Sequence, residues 1–318
     1  MFKSKKSAKE KKEDSRCFDI KKLMEEKFNE LTDLRGQLES AAKEKAREKV
    51  KTALEGTGAG ELLALIERGE KEHGRLKLLY EKCITELERK KLKILSWNIW
   101  VDGKFDEITK FLKSADADII GLQEVQADAP GRDIIRYLKD LGYQHVFAPI
   151  QKTWEGKTWN DGPAIFSKYK ISKTETYILS KNDSRAAVRA DIEIGDEILH
   201  VFSTHLIHTH QQQSSEQENQ ILNLLKSLLE QQTIVMGDFN ATPESAGITM
   251  LKNVLVDSDP SSAPTWSAYP EGCLVCNPQA VDTRLDYIFT SKDIKTSSFK
   301  VGNSRGSDHL PISVMIEI

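Results

Sequence analysis

Residues 92–318 predict an α/β layered fold, and three observations carry that reading. Short apolar runs rich in β-branched and aromatic residues alternate with amphipathic helical stretches. The texture changes at Leu92, after 91 residues of highly charged, helix-patterned chain. The apolar runs also end repeatedly in a carboxylate, an amide or an imidazole, which puts chemistry at the rim of a sheet.

Residues 1–15 (MFKSKKSAKEKKEDS) are low in complexity and read as a disordered basic tail. Residues 16–91 read as two helices. In the stretch 18–55, Leu31, Leu34, Leu38 and Ala41 recur at spacings of three and four. Gly56, Gly58 and Gly60 then break the helix. A second helix over about 61–91 carries Leu76, Leu79, Cys83 and Leu87 on one stripe. An α-helical hairpin or short coiled coil follows, suited to homodimerisation or to docking a protein partner.

From Leu92 onward, strands are expected at 92–99, 118–125, 164–167, 233–239, 285–290 and 312–316. Residues 189–194 and 198–204 flank Gly195-Asp196 as a hairpin. Helices are expected at 105–112, 133–141 and 216–231, the last with Leu222, Leu225 and Leu229 on one face.

The net charge of −3 divides unevenly: residues 1–91 hold 24 basic and 19 acidic side chains, residues 92–318 hold 22 and 30. An acidic domain grips nucleic acid poorly unless a local basic patch offsets the repulsion, and part of its acidity can serve a cation. Four cysteines (Cys17, Cys83, Cys273, Cys276) are too few for a disulfide scaffold in 318 residues. The N-terminus has no apolar secretory stretch, and no run approaches the ~18 apolar residues that span a membrane. The expected location is cytoplasmic, with no membrane partner.

The residues at the strand ends are Trp97-Asn98, Gln123-Glu124, Thr204-His205, Asp238-Phe239-Asn240, Asp286 and Asp308-His309. Read by themselves they form a carboxylate-rich, histidine-assisted site whose hard oxygen donors suit Mg²⁺ or Mn²⁺ better than zinc. One such residue alone is as readily a turn or a cap. The set is harder to dismiss, above all Asp286 inside an apolar strand, since a buried carboxylate needs a partner.

Six strings in order carry a resemblance: Ile94-Leu-Ser-Trp-Asn-Ile99, Gly121-Leu-Gln-Glu-Val125, Ser203-Thr-His-Leu206, Gly237-Asp-Phe-Asn-Ala-Thr-Pro243, Arg284-Leu-Asp-Tyr-Ile288 and Ser307-Asp-His-Leu-Pro311. Together they resemble the endonuclease/exonuclease/phosphatase superfamily over nearly all of residues 92–318 and none of residues 1–90. The resemblance implies a four-layer α/β/β/α sandwich, two packed sheets flanked by helices. It implies Glu124 as a metal ligand, with Asn98 and Asp308 beside it. Asp238 would position or deprotonate the attacking water, and Asn240 would hold the phosphate and the surroundings of Asp238. His309, oriented by Asp286, would act as general base or as a donor to the phosphoryl oxygen, and His205 would donate to a non-bridging oxygen.

The activity so implied is divalent-metal-dependent phosphodiester hydrolysis by in-line attack of water, on nucleic acid, as a nuclease or DNA-end-processing enzyme. Thr204-His205-Leu206 stands where the abasic-endonuclease branch carries a Tyr-containing motif, which argues against abasic-site cleavage. Two other readings remain open: a phosphatase or phosphodiesterase acting on a small-molecule or lipid phosphoester, and a catalytically inactive coiled-coil scaffold. Trp154, Trp159, Asn160 and Asp161 precede a strand similar to the family's G-x-A-I-x-S-[RK] and could rim the cleft or pack as ordinary aromatics. His208 and His210 read as a loop after His205. Cys273 and Cys276 have half of a zinc-site spacing and otherwise read as free thiols.

Overall fold

The computed structural model describes residues 19–33, 35–37, 59–88, 90–127, 129–154, 156–180, 184–269 and 280–318. The basic tail, Cys17, Cys273 and Cys276 lie outside them, as does the side chain of Cys83. The chain divides into two compact units, Met1–Arg89 and Lys90–Ile318.

In the first unit, α1 (residues 19–33) and α2 (Ala59–Glu88) are helical. Leu31 is buried, and a Cβ built on Gly69 would strike its side chain, so the helices meet where one of them carries no side chain. Phe28 and His73 pack with ring centroids 5.7 Å apart, and Lys27 reaches Glu72 at 3.2 Å.

In the second unit the order is β1 (Lys91–Asn98), α3 (Phe105–Ala115), β2 (Ile119–Val125), α4 (Ile134–Asp140), β3 (Gln144–Phe147), β4 (Ile150–Trp154), β5 (Lys157–Ser167), β6 (Ile171–Ser180), β7 (Arg185–Ile194), β8 (Glu197–His205) and α5 (Ser215–Leu225). There follow β9 (Thr233–Asp238), α6 (Ala246–Val254), β10 (Val256–Asp257), β11 (Asp286–Thr290), β12 (Lys295–Val301) and β13 (Ile312–Glu317). The strands build two mixed sheets. One runs β12-β13-β1-β2-β5-β3 with β4 paired to β5; the other runs β10-β11-β9-β8-β7-β6.

The period-2 alternation of the strands produces the layering. Leu92 and Ile94 of β1, Ile119 of β2, Val201 of β8, Ile234 and Met236 of β9 and Ile288 of β11 fill the space between the sheets. The opposite faces, Leu95, Trp97, Ile120 and Leu122, pack under α3 and α4. Phe202, Val235, Tyr287 and Phe289 pack under α5 and α6. The result is the four-layer α/β/β/α sandwich. Gly121 is small because Met236 from the facing sheet occupies the space its Cβ would take.

Some expected elements differ in extent. The strand expected at 164–167 runs back to Lys157, because it forms a hairpin with β4. The helix expected to reach residue 231 ends at Leu225; Thr233 Oγ1 donates to the carbonyls of Leu229 and Gln231, turning the chain into β9. Strands β6 and β12 lie at sheet edges, where solvent-facing Lys, Thr and Ser interrupt the apolar pattern that marks a buried strand. No helix among the described residues is long and apolar enough to cross a membrane.

Candidate active site

Strand direction explains how residues far apart in sequence converge. β1 and β2 are parallel, as are β8 and β9, so four C-terminal ends share one rim. β11 and β13 run antiparallel to β9 and β1 and bring their N-terminal ends to that same rim. Along each strand the apolar residues facing the other sheet give way, at the same parity, to polar ones. Thus Asn98 follows Leu92 and Ile94, His205 follows Leu199 and Val201, Asp238 follows Ile234 and Met236, and Asp286 precedes Ile288. Just beneath lies a buried polar layer: Gln123 Nε2 donates to Ser203 Oγ at 3.2 Å and lies 3.5 Å from Ser96 Oγ.

Glu124 breaks the alternation. A register shift between Leu122 and Val125 and a φ of +59° at Glu124 form a bulge that re-aims its carboxylate into the cleft. Trp100 (φ +51°) and Asn240 (φ +49°), which also line the cleft, adopt the left-handed region as well.

The cleft has a volume of about 240 Å³; Asn98, Glu124, His205, Asp238, Asn240, Asp308 and His309 line it, and Asp286 lies directly behind His309. All eight sequence-derived site residues therefore fall in one place. Asp238 is the hub. Its Oδ2 accepts from Asn98 Nδ2 at 3.0 Å and lies 3.4 Å from His205 Nε2 and 3.5 Å from His309 Nε2, while its Oδ1 accepts from the Asn240 backbone N–H at 2.8 Å. His309 Nδ1 lies 2.8 Å from Asp286 Oδ2, which also accepts from Thr265 Oγ1 at 2.6 Å. Asp308 accepts from the Trp266 indole N–H at 3.1 Å. Glu124 accepts from Asn98 Nδ2 at 3.1 Å and from the Val101 N–H at 2.9 Å.

Electrostatics divide these groups. Burial pushes Asp238 up to about 7, with Asp286 adding to the effect and His309 opposing it. Burial opposes charge on His309, yet Asp286, Asp238 and Asp308 outweigh it and hold the imidazole well above its ordinary range. His205 moves the other way: burial, then Arg185 and Lys152, keep it well below the usual value and neutral. Burial raises Glu124, with Asp161 and Asp308 adding to the rise and Lys152 opposing it.

The donor set fits a divalent cation. Glu124, a largely buried carboxylate, is met by two uncharged N–H groups and shares the cleft with Asp308 and Asp238, oxygen donors that suit a cation. Among the described residues, Asp238, Asp286 and His309 also bring one ligand-type atom each within 4.8 Å of one another. There, Asp286 Oδ2 is committed to His309 and Thr265 in an Asp–His–Asp relay, while its Oδ1 is buried without a hydrogen-bond partner among the described residues; the Glu124 side, with its cleft-lining carboxylates, fits a metal as well.

The structure adds Lys152 and Arg185, which no string marked, to the cleft lining, where Trp100 and Trp266 also lie. So does His208, which belongs to the site more than to a loose loop: its Nδ1 lies 3.0 Å from Asn240 Oδ1. That contact leaves the Asn240 Nδ2 to face His205 Nε2 at 3.1 Å and the Leu206 carbonyl at 3.0 Å. Gln217 of α5 is buried and donates to the carbonyls of Ile207, Phe239 and Asn240, binding two strand-end loops together. The sequence marked His208 only by its spacing from His205 and His210, and it carried no mark for Gln217.

A layered sandwich with a buried Asp–His–Asp relay facing a carboxylate cleft defines a class, the metal-dependent hydrolases of phosphoester bonds. Residues 95–309 match the endonuclease/exonuclease/phosphatase family, and the chain belongs to it. Comparison with curated proteins finds no match. Among solved structures, an endonuclease/exonuclease/phosphatase from Beutenbergia cavernae is similar with a TM-score of 0.60, 19% identity and 72% of each chain covered. ANGEL2, a 2′,3′-cyclic phosphatase, is similar with a TM-score of 0.58 and 17% identity, covering 72% of this chain and 95% of its own. A mannosyl-6-phosphatase from Bacteroides thetaiotaomicron is similar with a TM-score of 0.54 and 18% identity, over 71% of this chain and 99% of its own. At these identities the likeness is one of fold.

Proposed function

We propose that the protein is a Mg²⁺- or Mn²⁺-dependent phosphodiesterase acting on nucleic acid, as a nuclease or DNA-end-processing enzyme. The observation that carries the chemistry is the hub at Asp238, which one amide and two imidazoles approach across a cleft from Glu124. The half-exposed indoles of Trp100 and Trp159 on the rim favour a substrate with planar bases.

In this reading Glu124 holds the metal, with Asn98 and Asp308 beside it. The metal supplies charge neutralisation for the phosphodiester and for the leaving oxygen. Asp238, with its proton affinity raised into the neutral range, orients the water and takes its proton. His309, kept cationic by Asp286, donates to a phosphoryl oxygen; its raised pKa favours that role over a base. Asn240 directs its Nδ2 at His205 Nε2, so the proton of the neutral His205 ring resides on Nδ1, which lies 4.0 Å from Glu124 Oε1 and serves a non-bridging oxygen placed beside it. Asp286 fixes the tautomer and tilt of His309.

One observation favours the second reading, a small-molecule or lipid phosphoester: the cleft is compact, about 240 Å³, within an acidic domain. A panel decides between them: single- and double-stranded DNA, an abasic duplex, a 5′-phosphotyrosyl oligonucleotide, RNA, inositol phosphates and bis-p-nitrophenyl phosphate, each with Mg²⁺, Mn²⁺ or EDTA. Metal-dependent cleavage of an oligonucleotide that is lost in Glu124→Ala and His309→Ala supports the proposal. Turnover of inositol phosphates alone overturns it in favour of the second reading.

Residues 16–91 we assign to dimerisation or partner docking, supported by the exposed Leu23, Phe28 and Leu78 on α1 and α2. Sedimentation equilibrium of the full chain beside a chain starting at Lys91 tests this. Two monomers at every concentration sink the dimer.

A further inference from the structure

The hairpin of β4 and β5 carries a built arrangement that the relay does not use. Lys152 and Trp159 face each other in the ladder, and Asp161 lies two residues further along the same face of β5. Asp161 is 1% exposed; its Oδ2 accepts from the Trp159 indole N–H at 2.6 Å, and its Oδ1 lies 2.6 Å from Lys152 Nζ as an ion pair. All three side chains line the cleft. The charge of Lys152 is felt by both Glu124 and His205.

A purely structural role explains this poorly. Five consecutive residue pairs, from Ile150 with Asp161 to Trp154 with Lys157, already hold the hairpin. A largely buried ion pair contributes little that apolar side chains of the same size would not. What the arrangement does achieve is orientation. The ion pair with Asp161 fixes where the ammonium sits, so that its N–H groups can be presented to an anion in the cleft. Tying the indole N–H to the same carboxylate sets the ring in a fixed plane beside that ammonium. The cleft is otherwise rich in carboxylates, so an anionic substrate needs cations on its wall.

We propose that Lys152 and Trp159, both held by Asp161, form a nucleotide subsite in which the indole stacks on a base and the ammonium takes an oxygen of the phosphate attached to that nucleoside. The subsite rests on the nucleic-acid reading above and specifies which unit of the chain that reading places in the cleft. Lys152 and Trp159 touch substrate; Asp161 is a positioning residue.

Calorimetric titration of the full chain in Mg²⁺ with thymidine 5′-phosphate, 2-deoxyribose 5-phosphate and thymidine tests it. The base is expected to improve phosphate binding by about tenfold, within the range measured for aromatic stacking. Trp159→Ala brings the ratio of the two phosphates close to one. Lys152→Met weakens both phosphates by about tenfold, the scale of one charge-assisted hydrogen bond, and leaves thymidine unaffected. Lys152→Arg restores most of that loss, and Asp161→Asn diminishes both effects. Equal binding of the two phosphates by the unaltered chain overturns the proposal. So does a Lys152→Met protein that melts earlier but keeps its phosphate affinity, since the ion pair would then only brace the hairpin. Metal-dependent hydrolysis of methyl p-nitrophenyl phosphate, which has no base, tests the hydrolase reading separately on the same preparation.

Discussion

Nδ1 of His309 lies 2.8 Å from Oδ2 of Asp286, while Nε2 on the far side of the ring lies 3.5 Å from Oδ2 of Asp238. One imidazole thus joins two carboxylates from neighbouring strands, whose residues are directly paired in the ladder. Asp286→Asn removes a main source of the raised pKa of His309. Its kcat should fall about 10²-fold or more, the lower range for a positioned proton donor. The alkaline limb of the pH–rate profile should also move to lower pH, because the imidazolium then loses its proton earlier. An unmoved limb would show that His309 is not the titrating donor.

Metal should stabilise the fold through Glu124. At a hundred times its dissociation constant, Mg²⁺ or Mn²⁺ should add about 2.7 kcal/mol, read as a rise in Tm over the EDTA-treated protein. Glu124→Gln should abolish that rise while folding normally. If the rise persists undiminished, the ion binds elsewhere.

Gln217 stitches the exit of β8 to the exit of β9. Gln217→Leu leaves buried carbonyls without donors, which should cost about 1–3 kcal/mol in urea denaturation. Because it frees the loop that carries Asn240, kcat should drop more than KM rises. Gln217→Glu should not rescue, since a carboxylate cannot donate to the three carbonyls.

Gly237 has φ +150°, and a Cβ there would lie 2.0 Å from the Thr204 carbonyl oxygen. Gly237→Ala must push β9 away from β8 in mid-sheet, at a cost on the order of 3 kcal/mol. A denaturation midpoint equal to that of the unaltered protein would contradict the close approach.

Away from the cleft, Asp191 takes both forks of Arg189 at 2.8 Å and His200 Nδ1 at 2.7 Å. Burial would raise its carboxyl pKa, but these partners outweigh burial and hold it below the ordinary range. The depressed value means that its stabilisation is present above the unfolded pKa, about 4, and is lost as pH falls through the folded one. Asp191→Asn should therefore be less stable than the unaltered chain at pH 7, with the gap closing below about pH 4. A gap that stays constant down to pH 2 would exclude this linkage.

Much of the site was legible in the sequence because strands encode it locally. Asn98, His205, Asp238 and Asp286 each continue or precede an inward-facing apolar row at the same parity, so the strings that end or begin strands also aim the side chains. Edge strands β6 and β12 were not legible, since one half-exposed face lacks the apolar run that marks burial.

The sequence by itself determined the alternation of strands and helices, the family, and the eight residues gathered at the site, seven lining the cleft and Asp286 behind His309, because periodicity and strand-end chemistry are properties of neighbouring residues. Only the tertiary structure decided which groups touch. The bulge that turns Glu124 inward depends on pairing with β5, and the joining of Lys152, Trp159 and Asp161 depends on the β4–β5 register. The opposed pKa values of His205 and His309 depend on which charges reach each buried ring. Contacts of this kind cross strands or sheets, and no local pattern records the register or burial that sets their strength.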